Sequence, residues 1–134
     1  MYLIDTNILL EFLLGQDKKE ECISLFKKAI SGDVKANVSK FSIYSIEIML
    51  SKNNKINALK DFLIIIKNSK GLKVINTDTS DDERIIELMI EHNLDFDDAL
   101  HCYICTLYNL KIISYDKHFD KTPIKRLEPV DVKL

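Results

Sequence analysis

The chain has 134 residues, 46% of them hydrophobic and 30% charged, with only three glycines and two prolines and no visible repeat or low-complexity run. That is enough apolar sequence for one core, and it excludes disordered, fibrous and repeat classes, so one domain over residues 1–134 is expected. A net charge of −2, from 19 basic and 21 acidic residues, offers no global electropositive footprint for a polyanion.

In chain order, Tyr2 to Ile4 is a short apolar strand ending at Asp5, and a helix over Thr6 to Leu14 follows, stopped by Gly15. A second helix covers Lys18 to Ile30, with Cys22, Leu25, Phe26, Ala29 and Ile30 on one face and Gly32 as its stop. Val34 to Val38 reads as a strand, Phe41 to Leu50 and Ile56 to Lys67 as helices, and Leu72 to Ile75 as a third strand. Ser80 to Glu83 has the spacing of a capping box and opens an amphipathic helix to about Glu91. A helix over Asp97 to Leu110, a strand over Lys111 to Ser114 and a short strand near Lys125 to Leu127 complete the order. Strands alternating with helices imply parallel β-α-β units, hence an α/β fold with a sheet covered on both faces. Function in such sheets sits beyond the carboxyl ends of the strands, where Asp5 and Asp116 fall.

No basic leader precedes the apolar start, and the longest strictly apolar run, Phe62 to Ile66, is too short to span a bilayer. The expectation is a cytoplasmic protein with no membrane partner. Cys22, Cys102 and Cys105 are an odd count and read as reduced thiols. His101, Cys102 and Cys105 resemble half of a zinc site but lack a second ligand pair at suitable spacing.

Four acids stand out. Glu47 falls inside the apolar arc of Ile43, Ile46 and Leu50 at 100° per residue, where an unpaired carboxylate is costly. Its ordinary explanation is a glutamate at the helix edge that reaches water or a lysine. Asp5, Asp98 and Asp116 each have an ordinary explanation as a cap or first-turn acid. Together they form a set that converges on one pocket, and such a pocket needs divalent cations, because close carboxylates otherwise repel and take up protons. Oxygen ligands suit Mg²⁺ or Mn²⁺.

These residues also carry a family resemblance. The segment from Leu3 through Asp5 to Leu9 is similar to the opening motif of PIN-domain nucleases; Glu47 in a serine-rich helix resembles their second acid, Phe96 to Leu100 with Asp98 their third, and Ile113 to Phe119 with Asp116 their fourth. The resemblance implies a three-layer α/β/α sandwich on a mostly parallel five-stranded sheet. It implies Mg²⁺ or Mn²⁺ held by Asp5, Glu47, Asp98 and Asp116, with Thr6 and Ser114 as supporting polar groups, and hydrolysis of RNA phosphodiesters. It further implies the toxin half of a toxin–antitoxin pair, with a small antitoxin protein as partner, while the helices after Gly15 and around Ile56 to Ile66, the latter more apolar than one buried face requires, offer a surface for a homodimer or antitoxin contact. Asp97 and Asp120 are extra acids without an assigned role.

Rival readings remain. A phosphatase with an aspartyl nucleophile needs a second aspartate where Asn7 stands, and a receiver-like domain leaves Glu47 unexplained. The third is a catalytically silent domain of the same fold that binds RNA or protein, alongside an RNA-processing nuclease without an antitoxin.

Overall fold

The computed structural model describes residues 1–15 and 17–133. Five strands, β1 (Tyr2–Ile4), β2 (Ala36–Ser39), β3 (Leu72–Ile75), β4 (Lys111–Ile113) and β5 (Arg126–Leu127), form one sheet in the order β3-β2-β1-β4-β5. Every neighbouring pair is parallel, with Leu3 opposite Asn37 on one side and Ile112 on the other. The helices are α1 (Thr6–Leu14), α2 (Lys19–Ser31), α3 (Lys40–Lys52), α4 (Ile56–Asn68), α5 (Thr79–His92) and α6 (Phe96–Tyr108), with 3₁₀ turns at Lys117–Lys121 and Pro129–Asp131.

Successive strand residues face opposite sides of a sheet, so each strand feeds two cores. Ile4 and Ile113 join Ile8, Phe26, Ile46, Leu50 and Phe62 on the face covered by α1 to α4. Leu3 and Ile112 join Ile85, Leu88, Leu100, Ile104 and Phe119 under α5 and α6. The result is the expected three-layer α/β/α sandwich. After β1 the chain builds outward through β2 to β3, then returns to the other side of β1 for β4 and β5. That reversal opens a crevice at the carboxyl ends of β1 and β4.

Most element boundaries differ from expectation by a residue or two, and three of the shifts have a clear local reason. β2 starts at Ala36, because the Val34 N–H is tied to the Lys28 carbonyl at the end of α2 and only Ala36 N–H reaches a neighbouring strand segment at Gly71 O. α5 starts at Thr79, since the Asp78 carboxylate accepts from Ser80 N–H and the Asp81 carboxylate accepts from Asp78 N–H, forming the capping box two residues earlier than Ser80 would. α6 ends at Tyr108 because Asn109 turns left-handed, at φ 54°, and its N–H and that of Leu110 both return to the Cys105 carbonyl. The three cysteines are buried free thiols. No helix among the described residues is long and apolar enough to cross a membrane.

Candidate metal centre

Asp5 leaves the end of β1 in extended conformation, at φ −67° and ψ 149°, and its carboxylate does not cap α1. It turns instead to the crevice, where the Ser114 hydroxyl donates to Oδ2 at 2.6 Å. Ser114 follows β4 directly, and its oxygen also accepts the Asp116 N–H at 2.9 Å, so one buried hydroxyl ties two acids together. Asp116 in turn accepts the His118 N–H at 2.9 Å and starts the Lys117–Lys121 turn. Asp98 sits in the first turn of α6 and is only 7% exposed. His118 Nδ1 lies 3.2 Å from Asp116 Oδ1 and 3.8 Å from Asp98 Oδ2.

The electrostatics follow from this crowding. Burial pushes the Asp5 carboxyl up to about 6, the Ser114 hydrogen bond opposing and Asp116 and Asp97 adding to the rise. Asp98 is pushed up to about 7 by burial and by Asp97, Asp116 and Asp5, with His118 opposing. Acids held in this way take up either protons or a cation. The donor set fits a divalent ion: Asp98, Asp116 and His118 each offer an atom, all within 4.8 Å of one another, and Asp5 stands beside them through Ser114. Carboxylate oxygens suit Mg²⁺ and Mn²⁺, and an imidazole nitrogen favours Mn²⁺ of the two.

The structure gathers three of the four expected acids. Glu47 is half-buried on α3 and, among the described residues, makes no hydrogen bond or ion pair. The side of α3 that meets the site carries Ser42, bonded to Thr6 at 2.6 Å, and Phe41, packed on Phe96 with ring centroids 6.3 Å apart. At about 100° per residue Glu47 is roughly 140° around the helix from Ser42, on the far margin of the buried arc. Ser45, roughly 60° from Ser42 on the near side, stands where an acid from α3 would face the cluster. Its hydroxyl donates to the Phe41 carbonyl instead, at 3.0 Å.

Asp97 takes a larger part than its sequence context suggested, since it raises both Asp5 and Asp98 from the exposed rim of α6. Asp120 has a structural role: it pairs with Arg126, Nε to Oδ1 at 2.8 Å, while Arg126 also donates to the Ser114 carbonyl at 2.9 Å. The Ser114 hydroxyl bonds an acid directly, whereas the Thr6 hydroxyl bonds Ser42 and the Thr6 backbone N–H opposes the rise of Asp5. His118 was missed by sequence reasoning, although its place two residues after Asp116 was a usable signal. His101 was weighed only with the cysteines beside it. Its ring is fully buried, kept neutral by burial that lowers it to about 4, and turned toward Asp5, Ser39 and Ser42.

The PIN domain family model matches residues 2–125. No curated protein matches the chain in sequence. Among solved structures, the fold is similar to VapC20 of Mycobacterium tuberculosis, described as a sarcin–ricin loop cleaving toxin, with a TM-score of 0.78 and 15% identity over 96% of this chain and 100% of that one. FitAcB from Neisseria gonorrhoeae matches with a TM-score of 0.74 and 18% identity over 98% of this chain and 100% of that one. A toxin–antitoxin complex from Klebsiella pneumoniae matches with a TM-score of 0.72 and 20% identity, again over 98% and 100%.

Proposed function

The chain belongs to the PIN-domain family of nucleases, and from that premise we propose that it is a divalent-metal-dependent endoribonuclease acting as the toxin of a toxin–antitoxin pair. The observation that carries this reading is the convergence of Asp5, Asp98 and Asp116 in the crevice beside β1 and β4, two of them pushed up toward neutral pH by burial and mutual repulsion.

Asp5, Asp98 and Asp116 would hold Mg²⁺ or Mn²⁺, with His118 as a nitrogen donor at the mouth and Asp97 adding negative charge at the rim. When bound, the ion supplies Lewis acidity: it lowers the pKa of a water and offsets charge on phosphate oxygens. The chain's own work is positional. Ser114 fixes Asp5 and Asp116 relative to each other, and Arg126 anchors the Ser114 backbone from behind. Burial of Asp5 and Asp98 keeps bulk water away from the side of the cluster that faces the core. His118, 69% exposed, leaves its ring open to the solvent side of the cluster.

The toxin assignment draws on similarity in fold to proteins described as toxins or found with antitoxins. It places a small antitoxin protein over the acidic crevice. Exposed Ile56, Leu63 and Ile64 on α4 give an apolar strip for a homodimer. Digestion of defined single-stranded and hairpin RNAs with Mn²⁺, with Mg²⁺ and with chelator tests the reading. Cleavage by the wild type with either ion, lost on chelation and in Asp98→Asn, is expected; cleavage that survives both would overturn it. Induced expression in a bacterial host should arrest growth for the wild type and not for Asp98→Asn.

A further inference from the structure

His101 Nδ1 is the one buried side-chain polar atom among the described residues with no hydrogen-bond partner, and it lies 3.5 Å from Asp5 Oδ1. The other ring nitrogen is well supplied. Nε2 lies 3.0 Å from the Ser39 hydroxyl and 3.2 Å from that of Ser42. Those hydroxyls belong to a small buried chain: Ser39 is within 2.9 Å of Ser42, Ser42 is within 2.6 Å of Thr6, and Ser39 caps α3 by accepting the Ser42 N–H at 3.0 Å.

The hydroxyls in this chain can serve either tautomer of the ring, and the Asp5 carboxylate decides between them. Three hydroxyls hold three protons, and Ser42 is close enough to pass one to Nε2 while accepting from Ser39 or Thr6. Nε2 then accepts, and the ring proton stands on Nδ1, aimed at Asp5. The opposite tautomer sets a bare nitrogen lone pair against a carboxylate oxygen in a dry interior, which is repulsive and leaves a buried acceptor unmet.

We propose that His101 is a positioning residue for the metal site, holding Asp5 Oδ1 through its Nδ1–H while Ser114 holds Oδ2. Each Asp5 oxygen then has a fixed side-chain donor, and the two together set the carboxylate plane. The 3.5 Å separation is longer than a hydrogen bond, and charge on Asp5 draws the pair together, as hydrogen bonds in active sites tighten when the site is loaded. Hydrogen-bonded supports of metal ligands of this kind change affinity by about 10- to 100-fold when removed. The inference rests on the metal-binding reading of the cluster.

Two substitutions separate positioning from packing. Asparagine places an amide nitrogen where Nδ1 sits but gives up the serine contacts, whereas glutamine reaches the serines but gives up the donor to Asp5. Calorimetric titration with Mn²⁺ should find His101→Asn within about threefold of wild type and His101→Gln about tenfold weaker, with melting temperatures measured alongside. Equal losses in the two, or a His101→Gln that binds as wild type does, would overturn the proposal. Long-range ¹⁵N–¹H correlation on metal-free wild-type protein gives the tautomer without any variant: a proton on Nδ1 is expected, and a proton on Nε2 overturns the proposal even if neither variant folds. Absence of Mn²⁺ binding by the wild type would remove the metal reading instead, and the tautomer would still decide the His101 role.

Discussion

The Ser114 hydroxyl lies 2.6 Å from Asp5 Oδ2, joining residues 109 apart in sequence across the seam between β1 and β4. Because the same oxygen accepts the Asp116 N–H, Ser114 ties two acids together and also opposes the rise that burial imposes on Asp5. Ser114→Ala should therefore raise Asp5 further and weaken Mn²⁺ binding by about tenfold, while Ser114→Thr, which keeps the hydroxyl, should retain most of it. Calorimetry on both variants checks this, and an alanine variant that binds as tightly as wild type would remove Ser114 from the site.

Asp98 gives a prediction with two opposite signs. Burial and three neighbouring acids disfavour its charge, so Asp98→Asn removes repulsion and should raise the melting temperature of the metal-free protein near pH 8. The same change deletes a ligand, so the rise in melting temperature caused by Mn²⁺ should vanish along with RNA cleavage. Thermal melts with and without the ion read both effects, and a variant that still gains stability from Mn²⁺ contradicts the ligand assignment.

The pH dependence follows from the two raised carboxyls. Asp5 at about 6 and Asp98 at about 7 hold protons in the folded chain that the unfolded chain, at the ordinary 3.8, has released. The stability they contribute is complete below about pH 4 and is lost as pH rises through 6 to 7. A divalent ion competes with those protons, so its affinity should climb through the same window and level off above it. The Mn²⁺-induced rise in melting temperature should be small at pH 5.5 and large at pH 8, and equal shifts at the two would count against the coupling.

The layered fold was readable because β1, β3 and β4 are short, largely apolar runs and most helices end at a recognisable stop, Gly32 at φ 93° being one. Asp5 and Asp116 were readable because they follow β1 and β4, and Asp98 because it opens an apolar helix. Glu47 was singled out because periodicity reports which arc of a helix is buried, and both margins of that arc look alike in sequence. Which margin faces the crevice depends on how α3 packs against α1 and α6, here through Ser42 on Thr6 and Phe41 on Phe96. His101 was hidden for a related reason: on a helix that is apolar nearly all round, nothing local says that one ring faces a carboxylate.

That ambiguity makes Asp97 and Glu47 the informative pair to exchange. Asp97 acts on both Asp5 and Asp98, so Asp97→Asn should lower both carboxyls toward their ordinary range and shift the onset of Mn²⁺ binding to lower pH. Glu47 stands on the far margin of α3, and Glu47→Gln should leave Mn²⁺ affinity and RNA cleavage within about twofold of wild type, in line with a surface substitution away from the site. Restoring an acid on the near margin, by Ser45→Glu in the Glu47→Gln background, should tighten Mn²⁺ binding, because a fourth carboxylate then faces the cation. Titrations of the three variants across pH 5.5 to 8 decide the matter: a large loss in Glu47→Gln with no effect of Asp97→Asn would reverse the assignment of the two margins.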